Sequence, residues 1–348
     1  MTRALVFIPA AGLGSRLQSQ NFNLAKPMVT IAEKPLLYWI IATYPKNTEF
    51  VVALGYQANY VKQIAEIIAY ELQMCVKFTY TDSWKDKGQG LTQTLLDSKK
   101  LLTRPFIFHA VDSIILDSEF PAILMPREKS YIACAVPQTE GVYREMHRSG
   151  WVKRHFDSQS KNKAYSGIAF IANPNLFFTQ VEAKSFLSDE GETLGLDPKT
   201  TEIIDLKSGN WLDAGTWQGI AKVETILGRT SNILPRKDEA IWRVGNTMFK
   251  FHVSKTFISN RLERGNLLQP FVPKPIRNGE NIYSYPRVPG VTLSKSNLDE
   301  FIRFLELCKS FWLPALNIGS RYLEFYDFYK EKTLGRVNEF LQIYKSIN

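Results

Sequence analysis

The sequence predicts an α/β protein: a mixed, mostly parallel sheet flanked by helices over residues 1–230, followed by a smaller α+β domain over residues 236–348. Three observations carry this. Short apolar runs without polar alternation, at residues 3–10 (RALVFIPA) and 49–56 (EFVVALGY), have the pattern of strands buried on both faces. Segments with helical spacing lie between the strand-like runs, the order expected of parallel strands joined by crossovers. The charge then shifts: from residue 231 onward there are 18 Lys and Arg against 11 Asp and Glu, so seven of the nine net positive charges lie there.

The elements follow in order. After the first strand, KPLLYWIIATY (34–44) reads as a helix and 49–56 as the second strand. ANYVKQIAEIIAYELQ (58–73) sets Val61, Ile64, Ile68 and Leu72 on one helical face. CVKFTYT (75–81), GLTQTLLDSKKLL (90–102) and PFIFHAVDSII (105–115) read as strand, helix and strand. Further strands are expected at 131–137, 150–156 and 164–173, and a closing helix at 216–228, with the domain boundary near Gly228–Pro235. Beyond it, residues 239–253 read as a hairpin turning at Gly245-Asn246. A helix at 255–268, an extended stretch at 281–293 and two aromatic-rich helices at 298–316 and 322–347 complete the chain.

Composition narrows the function. Three cysteines, Cys75, Cys134 and Cys308, are odd in number and lack metal-ligand spacing, so buried thiols in a reducing cytoplasm are expected. The apolar run near the N-terminus is too short for a signal peptide, and no run approaches the roughly 18 apolar residues of a membrane span. The basic C-terminal part points to anionic partners, but its cations are scattered and no nucleic-acid-binding motif is present. A homo-oligomer is compatible with this composition.

The chemistry concentrates in IPAAGLGSRLQSQNFNLAKPM, residues 8–28. Ala10, Ala11, Gly12, Gly14 and Ser15 let a backbone approach an anion closely, and Arg16 and Lys26 supply charge. A P-loop would need Gly-Lys-Ser/Thr where Gly-Ser-Arg-Leu stands. A dinucleotide fingerprint would need a third glycine where Leu17 stands. The stretch resembles the signature of the nucleotidyltransferases that join a nucleoside triphosphate to a sugar phosphate or a phosphocholine-like compound. LGYQANYVKQI, GLTQTLLDS, FIFHAVDSII, YSGIAFI and GNWLDAGTWQGIAKVETIL look like later segments of that family, in the family's order over residues 3–228.

The resemblance implies a Rossmann-like fold and a reaction in which a phosphomonoester oxygen attacks the α-phosphorus and pyrophosphate leaves. It implies Arg16 on the leaving pyrophosphate, Lys26 between the α-phosphate and the acceptor phosphate, Gly90 at the base, and Mg²⁺ shared by Asp112 and Asp213. For the acceptor it implies Gly150 and Gly167. The family's Glu-Lys-Pro motif is replaced by FDSQSKNKAYSG, which leaves Lys153, Lys161 and Lys163 as candidates for the acceptor phosphate. The expected product serves surface-glycan synthesis. Residues 241–294 resemble the small lobe of aminoglycoside and choline kinase-like phosphotransferases, with Lys250 at the nucleotide-phosphate lysine and Glu263 near its helical partner. No catalytic-loop Asp with a downstream Asn follows, so the segment reads as the front of a bifunctional enzyme or as a regulatory relic.

Overall fold

A computed structural model describes all residues except 1–2, 19–22, 86–89, 117–122, 124–126, 158–159, 186–189, 229–237, 291–296, 313–321 and 348. The first part runs β1 (Leu5–Pro9), α1 (Ser15–Gln18), a small ladder of β2 (Thr30–Ile31) with β3 (Lys34–Pro35), α2 (Leu36–Thr43), β4 (Glu49–Leu54), α3 (Ala58–Leu72), β5 (Cys75–Tyr80) and α4 (Gly90–Ser98). Then come β6 (Phe106–His109), β7 (Ser113–Ile115), β8 (Tyr131–Ala135), β9 (Gly141–His147), β10 (Gly150–Phe156), β11 (Ala164–Ile171), α5 (Pro174–Lys184), β12 (Glu202–Asp205), β13 (Trp211–Asp213) and α6 (Trp217–Ile226). The remainder holds β14 (Glu239–Val244), β15 (Thr247–His252), α7 (Lys255–Leu267), β16 (Ile276–Arg277), β17 (Ile282–Pro286), α8 (Leu298–Trp312) and α9 (Tyr322–Ile347).

Seven strands form the central sheet in the order β12-β8-β11-β6-β1-β4-β5. β1 pairs in parallel with β4 on one side and β6 on the other, while β11 runs antiparallel to both β6 and β8. The mixed, mostly parallel sheet with flanking helices is thus as expected. Alternation along β1 explains its two covered faces: Val6 and Ile8 enter one apolar core, Leu5 and Phe7 the other. On α3, Val61, Ile64 and Ile68 are buried against the first of these cores. Because the chain leaves β1 toward β4 and returns on the other side as β6, a crevice opens at the carboxyl ends of β1 and β6, where such sheets take ligands.

One strand expectation changes. Residues 105–115 form two strands rather than one: β6 stays in the sheet, the chain turns at Ala110–Asp112, and β7 pairs with β13 in a separate ladder. β10 leaves the sheet to form a hairpin with β9. Of the thiols, Cys134 is buried, with burial pushing it up to about 12, but Cys75 is exposed and Cys308 half-buried.

The described residues pack as two compact units, 1–287 and 288–348. The expected boundary falls mainly on 229–237, outside the described residues. The division instead comes after Arg287, because the sheet β14-β15-β17-β16 contributes to the first core. Trp242, Phe249 and Phe251 are buried on its inner face, and Phe251 meets Tyr60 of α3 edge-on at 4.9 Å. The hairpin turns at Gly245, whose φ of 59° is the left-handed conformation that a tight two-residue loop requires. In the second unit, α8 and α9 occupy the regions expected to be helical. Among the described residues no helix is long and apolar enough to cross a membrane.

Candidate active site

The glycine loop and Asp112 meet because β1 and β6 are neighbours. Ala10, Ala11, Gly12, Gly14, Lys26, Gly90 and Asp112 all line one cavity of about 290 Å³, with Trp84, Thr94 and Glu192. Gly14 has φ 66°, and a Cβ there would lie 3.1 Å from Lys26 Cβ, so glycine lets the lysine pass close to the loop. Ser15 opens α1 and is exposed.

Asp112 and Asp213 are brought together by the register of the small ladder. Ser113 of β7 pairs with Asp213 of β13, and Ala214 N–H donates to Asp112 O at 2.8 Å. The closing helix holds this end: Thr216 Oγ1 caps α6 by accepting from Gly219 N–H at 3.1 Å. A Cβ on Gly219 would sit 2.2 Å from Asp213 O, so only glycine allows the helix to start there. The point where a Cβ on Gly215 would stand lies 2.9 Å from Asp213 Oδ1, 3.1 Å from Asp112 Oδ2 and 3.7 Å from Arg16 Nη1. Two carboxylates and a guanidinium therefore converge there.

Their environments push the two aspartates apart. Burial raises Asp112, but the charge and hydrogen bond of Lys26 and the charge of Arg16 outweigh it and hold the carboxyl below its ordinary value. Lys26 Nζ donates directly to Asp112 Oδ2. Asp213 is pushed above its ordinary value by burial and then by the charge of Asp112. Gly215 N–H at 2.8 Å and the Tyr143 hydroxyl at 2.9 Å donate to its two oxygens and partly offset this. His109 spans the turn that carries Asp112. Its Nε2–H donates to Ser113 O at 2.7 Å, which makes Nδ1 the acceptor for the Tyr44 hydroxyl at 2.8 Å.

A second cavity of about 190 Å³ adjoins the first and shares Ala110, Asp112 and Glu192 with it. Arg16, Tyr143, Arg144, Tyr165, Gly167, Trp211 and Asp213 also line it. Gly167 (φ 80°) sits where β11 shifts register against β8, and a Cβ there would lie 2.7 Å from Ala110 Cβ. The lysines expected at the acceptor are elsewhere. Lys163 Nζ pairs with Asp205 at 2.6 Å, and Lys153 and Lys161 are exposed. Gly150 (φ 142°) opens β10 opposite His147, just after the hairpin turn at residues 148–149, with open space around it. Besides Arg16, the cation that lines the cavity is Arg144, within 4.0 Å of the buried Glu192 and donating to Glu190 O at 3.0 Å. Sequence reasoning missed Arg144, Glu192, Tyr143, Trp84 and Gly55. Of these, Gly55 left a trace, as the glycine ending the second strand. A Cβ there would lie 2.6 Å from Ala11 O and 2.7 Å from the Trp84 ring.

In the C-terminal sheet, Lys250 and Glu263 are not brought together. Lys250 Nζ pairs with Glu239 on the neighbouring strand at 3.2 Å and lies over the Phe257 ring, while Glu263 is exposed on α7.

No protein-family model and no curated protein sequence matches the chain. Among solved structures it is similar to an inositol-1-phosphate CTP transferase from T. maritima, with TM-score 0.52 and 14% identity over 68% of this chain and 99% of that one. A CTP:phosphocholine cytidylyltransferase from Streptococcus pneumoniae (TM-score 0.49, 16% identity, 65% of this chain and 100% of that one) overlaps less well. So does a putative glucose-1-phosphate thymidylyltransferase from Bacillus anthracis (TM-score 0.49, 16% identity, 67% and 98%). The first of these likenesses shows that the part of the chain it covers shares the fold of that protein.

Proposed function

We propose that the chain is a Mg²⁺-dependent nucleotidyltransferase that joins a nucleoside triphosphate to a phosphomonoester and releases pyrophosphate. The acceptor is a sugar phosphate in the first reading and a phosphocholine-like compound in the second, and the product feeds surface-glycan synthesis. The observation that supports this best is the meeting of Asp112 and Asp213 beside the glycine loop, with Arg16 at the same point and Lys26 bonded to Asp112.

The residues fit the metal. Two half-buried carboxylates stand so close that the charge of one raises the other, a donor set of hard oxygens that suits a small divalent cation. Asp112 and Asp213 would hold Mg²⁺, which supplies charge neutralisation to the phosphates when bound. The chain's own residues do the rest. The loop from Ala10 to Gly14 gives the triphosphate a surface that its phosphates approach closely. Arg16 offers a fork of donors to the leaving pyrophosphate. Lys26 leaves Asp112 for the α-phosphate and lowers its repulsion toward the incoming phosphomonoester. An acceptor oxygen forms a bond to the α-phosphorus as the α–β bridging bond breaks, and its electron pair leaves on pyrophosphate. The attacking oxygen is already an anion, so no general base is required, and catalysis is positioning and charge neutralisation.

Pyrophosphate release with Mg²⁺, across four nucleoside triphosphates and a panel of phosphomonoesters, tests this. Release should depend on one triphosphate and one class of acceptor. Asp112→Ala and Asp213→Ala should each abolish it while the protein stays folded. Wild-type release by either variant would refute the two-aspartate site.

A further inference from the structure

Four residues that line the cavity beside the paired aspartates carry a buried polar atom without a hydrogen-bond partner in the protein: Ser113 Oγ, Tyr165 Oη, Glu192 Oε2 and Trp211 Nε1. Ser113 is 3% exposed and Trp211 4% exposed, and neither Ser113 Oγ nor Trp211 Nε1 makes a hydrogen bond. Both side chains line the same 190 Å³ cavity. Buried donors of this kind are normally satisfied, and leaving them unmet is costly. Four such atoms around one cavity, next to the point where the phosphates would react, call for a ligand that brings hydrogen-bonding groups with it. Trp211 Nε1 can only donate, and Ser113 Oγ can both donate and accept. A hydroxyl group answers either of them.

The charges around the cavity are mixed. The rings of Tyr143, Tyr165 and Trp211 with the Glu192 carboxylate could by themselves suit an ammonium group. But Arg16 and Arg144 line the same cavity, and Arg144 lies within 4.0 Å of Glu192. Asp112 and Asp213 also line it, so three carboxylates stand against two guanidiniums and charge alone does not choose between the acceptors. What separates them is hydrogen bonding: a quaternary ammonium has no hydrogen bond to offer Ser113 or Trp211.

We propose that this cavity reads the hydroxyl groups of the acceptor through Ser113 Oγ and Trp211 Nε1, so that the acceptor is a phosphomonoester of a neutral polyhydroxylated body, a sugar or cyclic polyol, and not phosphocholine. This rests on the transferase reading and decides between its two acceptor classes. Sites that hydrogen-bond a substrate hydroxyl reject the analogue lacking it far more strongly than apolar pockets reject a missing methylene.

The experiment has two readouts. The first is pyrophosphate release with glucose 1-phosphate, mannose 1-phosphate, inositol 1-phosphate and phosphocholine. The second is calorimetric binding of the same four compounds to the full chain. A polyol or sugar phosphate should be turned over and bound in preference to phosphocholine. Ser113→Ala and Trp211→Phe should each raise its KM and Kd about tenfold, leaving the KM of the triphosphate unchanged. A deoxy analogue of the preferred acceptor should bind the wild type about tenfold more weakly, and should lose nothing further in the variant whose partner hydroxyl it lacks. Preference for phosphocholine, or unchanged acceptor affinity in both variants, overturns the inference. Absence of release with every pair overturns the transferase reading; if binding of a polyol phosphate is still lost in the variants, the inference about the cavity stands.

Discussion

His109 ties the stability of the protein to pH through a single buried ring. It is fully buried at the end of β6, between the Tyr44 hydroxyl and Ser113 O. Burial pushes the imidazole down from 6.5 to about 4, against the opposing pull of the Ser113 carbonyl and the Asp112 charge. The unfolded chain takes up a proton near 6.5, whereas the folded chain resists it until about 4. The stabilisation is therefore complete above pH 6.5 and drains away as the pH falls toward 4. Each unit corresponds to about 1.4 kcal/mol, so the loss attributable to this ring is on the order of 3 kcal/mol. Chemical unfolding of the wild type and of His109→Gln, at steps from pH 7.5 to 4.5, measures it. The variant starts less stable but should lose about 3 kcal/mol less across the window, since carboxylates contribute equally to both. An imidazole resonance of His109 titrating near 6.5 in the folded protein would refute the reasoning. So would parallel pH profiles for the two proteins.

Two further outcomes follow from the contacts. Tyr143→Phe removes the 2.9 Å hydrogen bond to Asp213 Oδ2 and keeps the ring against Phe156 and Trp211. A hydrogen bond to a charged group is worth about 1.5–3 kcal/mol, so turnover should fall about tenfold or more with little change in melting temperature; unchanged pyrophosphate release would show that the hydroxyl does not position Asp213. Trp242→Ala empties a site that is 1% exposed in the core shared by the C-terminal sheet and the N-terminal part. It should cost about 3–5 kcal/mol and lower Tm by about 10 °C, read by calorimetry; a variant melting like the wild type would mean that residues 239–287 are not part of that core.

What was legible in the sequence was local. Apolar runs and helical spacing marked β1, β4, β6 and α3, because burial on a sheet or helix face leaves a period of its own. The glycine loop, Arg16 and Lys26 were visible as a cluster within 19 residues of chain, and Asp112 and Asp213 as acids following apolar runs. The β9–β10 hairpin was half seen: β9 (GVYREMH) has no clear alternation of buried and exposed residues, and only β10 was read as a strand.

The rest depended on register between distant segments. Asp112 and Asp213 meet because β7 pairs with β13 so that Ser113 lies opposite Asp213, a pairing that no local pattern announces. The 190 Å³ cavity takes Arg144 from a hairpin, Glu192 from a short helical turn and Trp211 from β13, none of which has a spacing relation to the others. Lys163 and Lys250 are cations at plausible positions along the chain, yet Asp205 and Glu239 hold them, since an ion pair is decided by which strands are neighbours. Composition likewise separated residues 239–287 from the N-terminal part, but apolar burial of Trp242, Phe249 and Phe251 joined them to it. Periodicity records which face of an element seeks cover; only the folded chain shows what covers it.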